Sequence, residues 1–337
     1  MSLPDPAPVL DLIDAFRRSK TMFTAVSMGI FDYLANQPAS AADLAATLKA
    51  NPDALERLLD GCAALGFLSK QNGTYANLPV ADVYLRKASP ESMGGYIRYS
   101  DRALYAMWGN LESAVKEGTH RWTQTFGGDG PIFSHFFRTD DAMREFLLGM
   151  HGFGRLTSPK VVNVFDLSRF RRLVDLGGAT GHLTIAACER YPDLHGVVFD
   201  LPRVTSFARE QVALSAARDR IEVVEGDFFD DNFPDADLYA VGRILHDWTD
   251  DKIAKLLAKA YQHLPSGGGM LVAEKLLNAD GVGPVPVNMQ SLNMLICTEG
   301  KERPVEDYAR LLTAAGFTAI EGRRTGTALD AVLATKS

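Results

Sequence analysis

A histidine, three carboxylates and a glycine turn carry most of the chemistry that these 337 residues can support. His246 sits in Leu245-His246-Asp247-Trp248, just after an apolar run that ends at Arg243. Glu274 closes the next apolar run. Glu302 follows in the loop Thr298-Glu299-Gly300-Lys301-Glu302-Arg303. A carboxylate beside an imidazole fixes its tautomer and favours the protonated form. Such a pair can serve as a general base for a hydroxyl proton, worth roughly 10²–10⁴-fold in rate. The rival reading is a histidine that only packs. Metal spacing of the His-x-x-x-His kind and any Cys/His cluster are missing from the sequence, so the pattern predicts no metal.

The second constellation is a nucleotide site. Leu173-Val174-Asp175-Leu176 is an apolar run carrying one acid, and Gly177-Gly178-Ala179-Thr180-Gly181 follows at once. A further apolar run, Val197-Val198-Phe199, ends in Asp200. Gly177, Gly178 and Gly181 let the backbone turn tightly and approach a ligand closely. Asp200 can accept from two ribose hydroxyls at once. This much fits NAD and S-adenosylmethionine (SAM) alike. Two details favour SAM. Asp175 would repel a pyrophosphate but suits a cofactor with an ammonium and a sulfonium. The third strand ends in Gly226-Asp227-Phe228, where Asp227 can accept from an adenine amino group and Phe228 can cover the ring. The alternative for Asp227 is a cap on the next helix.

These residues need a sheet that brings strand ends together. From about residue 166 strands and helices alternate. Strands are predicted at 172–176, 196–200, 221–225, 237–244, 269–275, 317–323 and 329–334, and helices at 181–190, 203–216, 250–264 and 305–315. That is an α/β, doubly wound, Rossmann-like sheet, with its ligands beyond the strands' carboxyl ends. Upstream, Ser40 to Asp43 resembles a capping box, and Asn51-Pro52 starts a helix with Leu55, Leu58, Leu59, Cys62 and Leu65 on one side. Asn72-Gly73 predicts a hairpin wing. Three helices and a wing make a winged-helix module. The expected domains are 1–100 winged helix, 101–165 helical linker contributing to the substrate pocket, and 166–337 cofactor domain. The linker is rich in aromatics, including Trp108, Trp122, Phe133, Phe137 and Phe153, which as a group suit a pocket for a flat apolar ligand.

Composition narrows the classes. The chain is 46% hydrophobic with a net charge of −7, which disfavours a nucleic-acid binder. Residues 1–100 carry 10 acids and 9 Lys/Arg, so the winged helix is expected to pack rather than read DNA. Cys62, Cys188 and Cys297 are far apart and odd in number, which predicts reduced thiols and a cytoplasmic location. Neither a secretory leader nor an apolar stretch long enough for a membrane is expected.

Taken in order, Asp175-Leu-Gly-Gly-Ala-Thr-Gly181, Phe199-Asp200-Leu201-Pro202, Gly226-Asp227-Phe228-Phe229, Leu245-His246-Asp247-Trp248, Gly267-Gly268-Gly269, Ala273-Glu274 and Glu299-Gly300-Lys301-Glu302-Arg303 resemble the SAM-dependent O-methyltransferases of the plant caffeate and isoflavone type, and most of all their animal acetylserotonin (hydroxyindole) branch. The likeness spans essentially the whole chain. It implies a class I methyltransferase sheet behind a winged-helix dimerisation domain, a homodimer, and a small aromatic acceptor such as a phenol or hydroxyindole. It implies that His246 is the base, flanked by Glu302 and Glu274, with Asp247 beside it. Asp200 would hold the ribose, Asp227 and Phe228 the adenine, and Gly177 to Gly181 the cofactor backbone approach, while Asp175, Leu201, Gly226, Arg243 and Phe137 complete the cofactor-binding set. Asn293, Cys297 and Met150 fall on the acceptor side. Cys297 stands in place of a glutamine and Gly154 in place of a tryptophan of that branch. Ala179 replaces a common glycine, a change of little weight if its backbone angles are ordinary. A C- or N-methylating enzyme, a non-enzymatic SAM-binding regulator and an NAD oxidoreductase are the alternatives.

Overall fold

The structure, a computed structural model, describes residues 3–337. The chain divides into two units, Met1–Ala103 and Leu104–Ser337. The first holds α1 (Ala7–Ser27), α2 (Ile30–Leu34), β1 (Ala39–Ser40), α3 (Ala41–Leu48), α4 (Pro52–Ala64), β2 (Leu68–Gln71), β3 (Thr74–Asn77), α5 (Pro79–Tyr84) and α6 (Gly94–Tyr99). Both expected caps form. Ser40 Oγ accepts from Asp43 N at 3.2 Å while Asp43 accepts from Ser40 N at 3.3 Å. Asn51 Oδ1 accepts from Ala54 N at 3.0 Å. Asn72 (φ 50°) and Gly73 (φ 77°) both turn left-handed, the conformation of the tightest hairpin loops, and set Gln71 opposite Thr74. The wing has a third strand that the sequence did not announce, because β1 is only two residues long and pairs Ala39 with Tyr75. Leu55, Leu59 and Cys62 of α4 close over a core with Ile30, Phe31, Leu44 and Tyr75.

The second unit opens with α7 (Tyr105–Trp108), α8 (Leu111–Glu117), α9 (Trp122–Phe126), α10 (Ile132–Phe136) and the long α11 (Asp140–Val164). Alternation then begins: β4 (Arg172–Leu176), α12 (His182–Arg190), β5 (His195–Asp200), α13 (Pro202–Leu214), β6 (Ile221–Glu225), β7 (Leu238–Gly242), α14 (Asp250–His263), β8 (Gly269–Glu274), β9 (Leu276–Leu277), α15 (Val285–Cys297), β10 (Arg303–Pro304), α16 (Val305–Ala314), β11 (Thr318–Arg323) and β12 (Asp330–Thr335). Seven strands form one sheet in the order β11-β12-β8-β7-β4-β5-β6. The five from β8 to β6 run parallel, and β12 is antiparallel to both neighbours. Strand order reverses between β4 and β7, and ligands bind at such a switch point. The run expected to stay extended from 237 to 244 stops at Gly242, because Arg243 takes φ 59° and turns the chain away. A separate parallel ladder pairs β9 with β10, Leu276 opposite Arg303. The core gathers Val161 and Val162 of α11, Leu183 of α12 and Leu173, Val198, Leu238 and Leu271 of the sheet. All three cysteines are buried and outside any disulfide. Among the described residues, no helix is long and apolar enough to cross a membrane.

Candidate active site at the sheet's switch point

The turn after β4 is built from left-handed residues, Gly177 (φ 73°), Ala179 (φ 50°) and Gly181 (φ 78°). Ala179 therefore does not have ordinary angles. The expectation that its side chain carries little weight is corrected, since an L-residue there is strained by roughly 1–2 kcal/mol. Asp200 locks the turn. Its Oδ2 accepts from Ala179 N and its Oδ1 from Leu201 N, both at 2.7 Å. Each oxygen keeps capacity for another donor, so a diol can still be held. Burial pushes the Asp200 carboxyl up to about 6 against the pull of those two N–H groups. Asp175 belongs to β4 itself, is buried, and accepts from Thr184 Oγ1 at 3.0 Å, tying α12 to the strand. Burial pushes it up to about 7.

The three strand ends converge. A Cβ on Gly177 would lie 2.5 Å from Ile244 Cδ1 and 3.2 Å from the Phe228 ring, so only glycine lets these turns meet. A Cβ on Gly226 would lie 2.4 Å from the Phe199 ring. Asp227 Oδ1 accepts from Phe229 N at 2.8 Å, a local turn rather than a helix cap. Its second oxygen and the half-buried face of Phe228 stay available to a purine. Phe137 ends α10, buried beside Phe133 and Phe146. Arg243 stacks 4.6 Å from the Phe153 ring, and its Nε and Nη1 are buried without a partner. Diol acceptor, aromatic face and unpaired guanidinium are the groups that a nucleoside carrying an amino-acid carboxylate requires.

His246 lies in the short helical turn Leu245–Asp247 and is 3% exposed. Its Nδ1 donates to Glu302 Oε1 at 2.8 Å, with Glu274 Oε2 at 3.3 Å and Asp247 Oδ1 3.6 Å from Nε2. The two glutamates divide the work. Glu274 Oε1 accepts from the backbone N–H groups of Ile244 (2.9 Å), Leu245 (2.8 Å) and His246 (3.4 Å), so it holds the turn that Arg243 starts. Glu302 holds the ring. The loop that carries Glu302 docks on that turn. Glu299 N donates to Asp247 O at 3.2 Å, and a Cβ on Gly300 would lie 2.2 Å from His246 O. Arg303, 1% exposed, pins the loop's far end through Leu245 O, Trp248 O and Asp250. Burial raises all three acids, Glu302 to about 8 and Asp247 to about 7. Ligand atoms of His246, Glu274 and Glu302 lie within 4.8 Å of one another. The hydrogen bonds above already engage Nδ1 and Glu274 Oε1, which leaves that trio better suited to moving a proton than to binding a cation.

The aromatic segment packs on α15. Trp108 Nε1 donates to Asn293 Oδ1 at 3.0 Å, and Trp122 Nε1 donates to Cys297 O at 2.8 Å. Gln290, Asn293 and Cys297 recur at three- and four-residue spacing and share one face of α15. The Cys297 residue is only 1% exposed. Met150 is half-buried on α11, one turn before Phe153. Gly154 on the same helix makes room for His182, whose ring a Cβ would meet at 2.3 Å. His182 Nδ1 bonds Ser158 Oγ at 2.9 Å, and burial pushes the imidazole down to about 3, so the ring stays neutral. Neither His182 nor Lys275 was singled out from sequence. The signal for Lys275 was its place directly after Glu274 at a strand end.

Residues 108–318 match the O-methyltransferase domain and residues 10–87 the O-methyltransferase dimerisation domain. The chain belongs to the O-methyltransferase family. It is 39% identical to acetylserotonin O-methyltransferase of Gallus gallus, over 98% of this chain and 97% of that relative. The Bos taurus enzyme of the same name is 40% identical over 96% of this chain and 95% of its own. The crystal structure of human N-acetylserotonin methyltransferase in complex with SAM is similar with a TM-score of 0.94, at 36% identity, covering 100% of this chain and 99% of that one. PigF with SAH gives 0.90 at 28% identity, covering 99% and 100%. This O-methyltransferase is SAM-dependent, with a class I methyltransferase sheet preceded by a dimerisation domain.

Proposed function

We propose that this methyltransferase acts on the hydroxyl of a small aromatic, a hydroxyindole or phenol, with His246 as the general base. The observation that carries this is the 2.8 Å bond from His246 Nδ1 to Glu302, which commits one ring nitrogen and leaves Nε2 to take a proton. The names of the relatives favour a hydroxyindole. When bound, SAM supplies a methyl already activated on a sulfonium. Asp200 with Leu201 would hold its ribose, Gly226, Asp227 and Phe228 its adenine, and Arg243 its carboxylate. Gly177, Gly178 and Gly181 would give close approach above Asp175, with Phe137 along the cofactor's side.

The remaining work is alignment and proton removal. Glu302 fixes the ring's tautomer and supports the imidazolium as it forms, Glu274 holds the turn, and Asp247 stands 3.6 Å from Nε2, where it adds a second acceptor for the migrating proton. Trp108, Asn293, Cys297 and Met150 would form the acceptor's wall. Alignment of this kind supplies up to roughly 7–11 kcal/mol in well-oriented cases. The winged-helix unit would join two copies. Val9, Leu10, Leu12, Ile13 and Phe16 of α1 are all more than half exposed, an apolar stripe suited to a partner helix and not to nucleic acid. Buried cysteines outside any disulfide suit the cytoplasm.

His246→Ala tests the reading. Turnover of N-acetylserotonin, followed by mass for one added methyl, should fall by about two orders of magnitude or more, while calorimetry still shows SAH binding. Native-rate turnover by this variant would remove His246 from the mechanism.

A further inference from the structure

Lys275 follows Glu274 at the end of β8, and the β9–β10 register places it beside Glu302 across the ladder. Its ammonium hydrogen-bonds to a different element. Nζ donates to Gln290 Oε1 at 3.2 Å and lies 5.6 Å from the centroid of Phe153. Gln290 is on the α15 face that also carries Asn293 and Cys297, so the charge stands on the acceptor's side of the site. Among the described residues Lys275 has no ion-pair partner, and neither has Arg243, which faces the same Phe153 ring at 4.6 Å. Two cations sharing one ring repel each other, and neither is held in a direct ion pair. Burial and the Arg243 charge push the lysine down to about 8. Glu302 and Glu274 act on the ammonium through space, but among the described residues neither forms an ion pair with it. Glu302 is turned to His246, Glu274 to three backbone N–H groups, and Asp247 to the far ring nitrogen.

We propose that Lys275 binds a negative charge on the acceptor, so that the preferred substrates are hydroxylated aromatics bearing a carboxylate. This rests on the reading of the site given above, in which Arg243 serves the cofactor's carboxylate. Two N–H groups of the ammonium are unspent, and both can donate to a carboxylate in charge-assisted bonds. A neutral acceptor leaves the half-buried ammonium without an ion pair, held by Gln290 alone among the described residues.

The test compares 5-hydroxyindole-3-acetate with N-acetylserotonin, which present the same ring hydroxyl and differ in the charge of the side chain. The wild-type chain should favour the acid in kcat/KM. Lys275→Met should lower the ratio of acid to neutral kcat/KM by roughly ten- to hundred-fold, mainly through KM, since the carboxylate is remote from the reacting oxygen. Lys275→Arg should restore part of that ratio, and SAH affinity by calorimetry should hold within about twofold in both variants. An equal loss for both acceptors would assign Lys275 to balancing the glutamates, and weakened SAH binding would assign it to the cofactor. Either result overturns the inference, as does a wild-type preference for the neutral acceptor, which leaves the O-methylation reading intact. Methylation of neither compound would sink the hydroxyindole reading, and the inference with it.

Discussion

Gly300→Ala should disable the base without touching it. The added Cβ would lie 2.2 Å from His246 O, 2.7 Å from Trp248 N and 2.8 Å from the Asp247 carbonyl carbon. All three are backbone atoms, so none can rotate away. Relief requires the loop to lift by about 1 Å, given that carbon contacts settle near 3.5–4.0 Å. The loop is tied on both sides, by Lys252 to Glu299 at 2.7 Å and by Arg303 to Asp250 at 2.7 Å, so the shift falls on the residues between. Glu302 is one of them. Moving its carboxylate by that much carries the 2.8 Å contact with Nδ1 beyond hydrogen-bond range. A lost charged hydrogen bond is worth about 1.5–3 kcal/mol, roughly ten- to hundred-fold in rate, and misplacement of a catalytic group by 1 Å can itself cost about 10². The measurement is kcat at saturating SAM, alongside SAH affinity and the thermal midpoint. The expected pattern is a fall of about 10²-fold in kcat with SAH binding retained. Full activity at an unchanged midpoint would refute the coupling between the loop's contact and the imidazole.

Ala179→Gly should stabilise the protein. Relief of a left-handed alanine gains about 1–2 kcal/mol and the larger unfolded-state freedom of glycine returns about 0.4–1, leaving roughly 0.5–1 kcal/mol, measurable as a higher urea midpoint. The cofactor-free chain should lose stability as pH rises from about 4 to about 8 through its buried acids. Asp175 and Asp247 (about 7), Asp200 (about 6) and Glu302 (about 8) have folded values above their unfolded ones. The folded state therefore holds more protons, and the advantage disappears as pH passes each folded value. Asp175→Asn, which can still accept from Thr184, should flatten that slope between about pH 4 and 7, and an unaltered profile would show that Asp175 is not a contributor.

The sheet was legible because its strands are short apolar runs closed by acids and glycines, signals that lie within a few residues of each other. The caps at Ser40 and Asn51 and the turn at Asn72-Gly73 were legible for the same reason. What escaped depends on partners far along the chain. Nothing near Ala179 shows that it turns left-handed, since that conformation is held by Asp200. Glu274 reads as one of two acids flanking a histidine until three backbone N–H groups are seen to converge on it. Gly154 looks like a lost side chain, yet its vacancy is filled by His182. The end of β7 was misplaced by two residues because the turn at Arg243 is imposed by tertiary contacts, not by a glycine or proline.

The sealed thiols have a practical corollary. Burial lifts Cys62 to about 11 and Cys188 to about 12, and Cys297 is 1% exposed, so maleimide reagents should find the native fold inert. A cysteine introduced at a chosen exterior position would then be the sole point of dye attachment. Fluorescence energy transfer between two copies labelled there could report on association and domain motion without first stripping the natural sulfhydryls from the sequence.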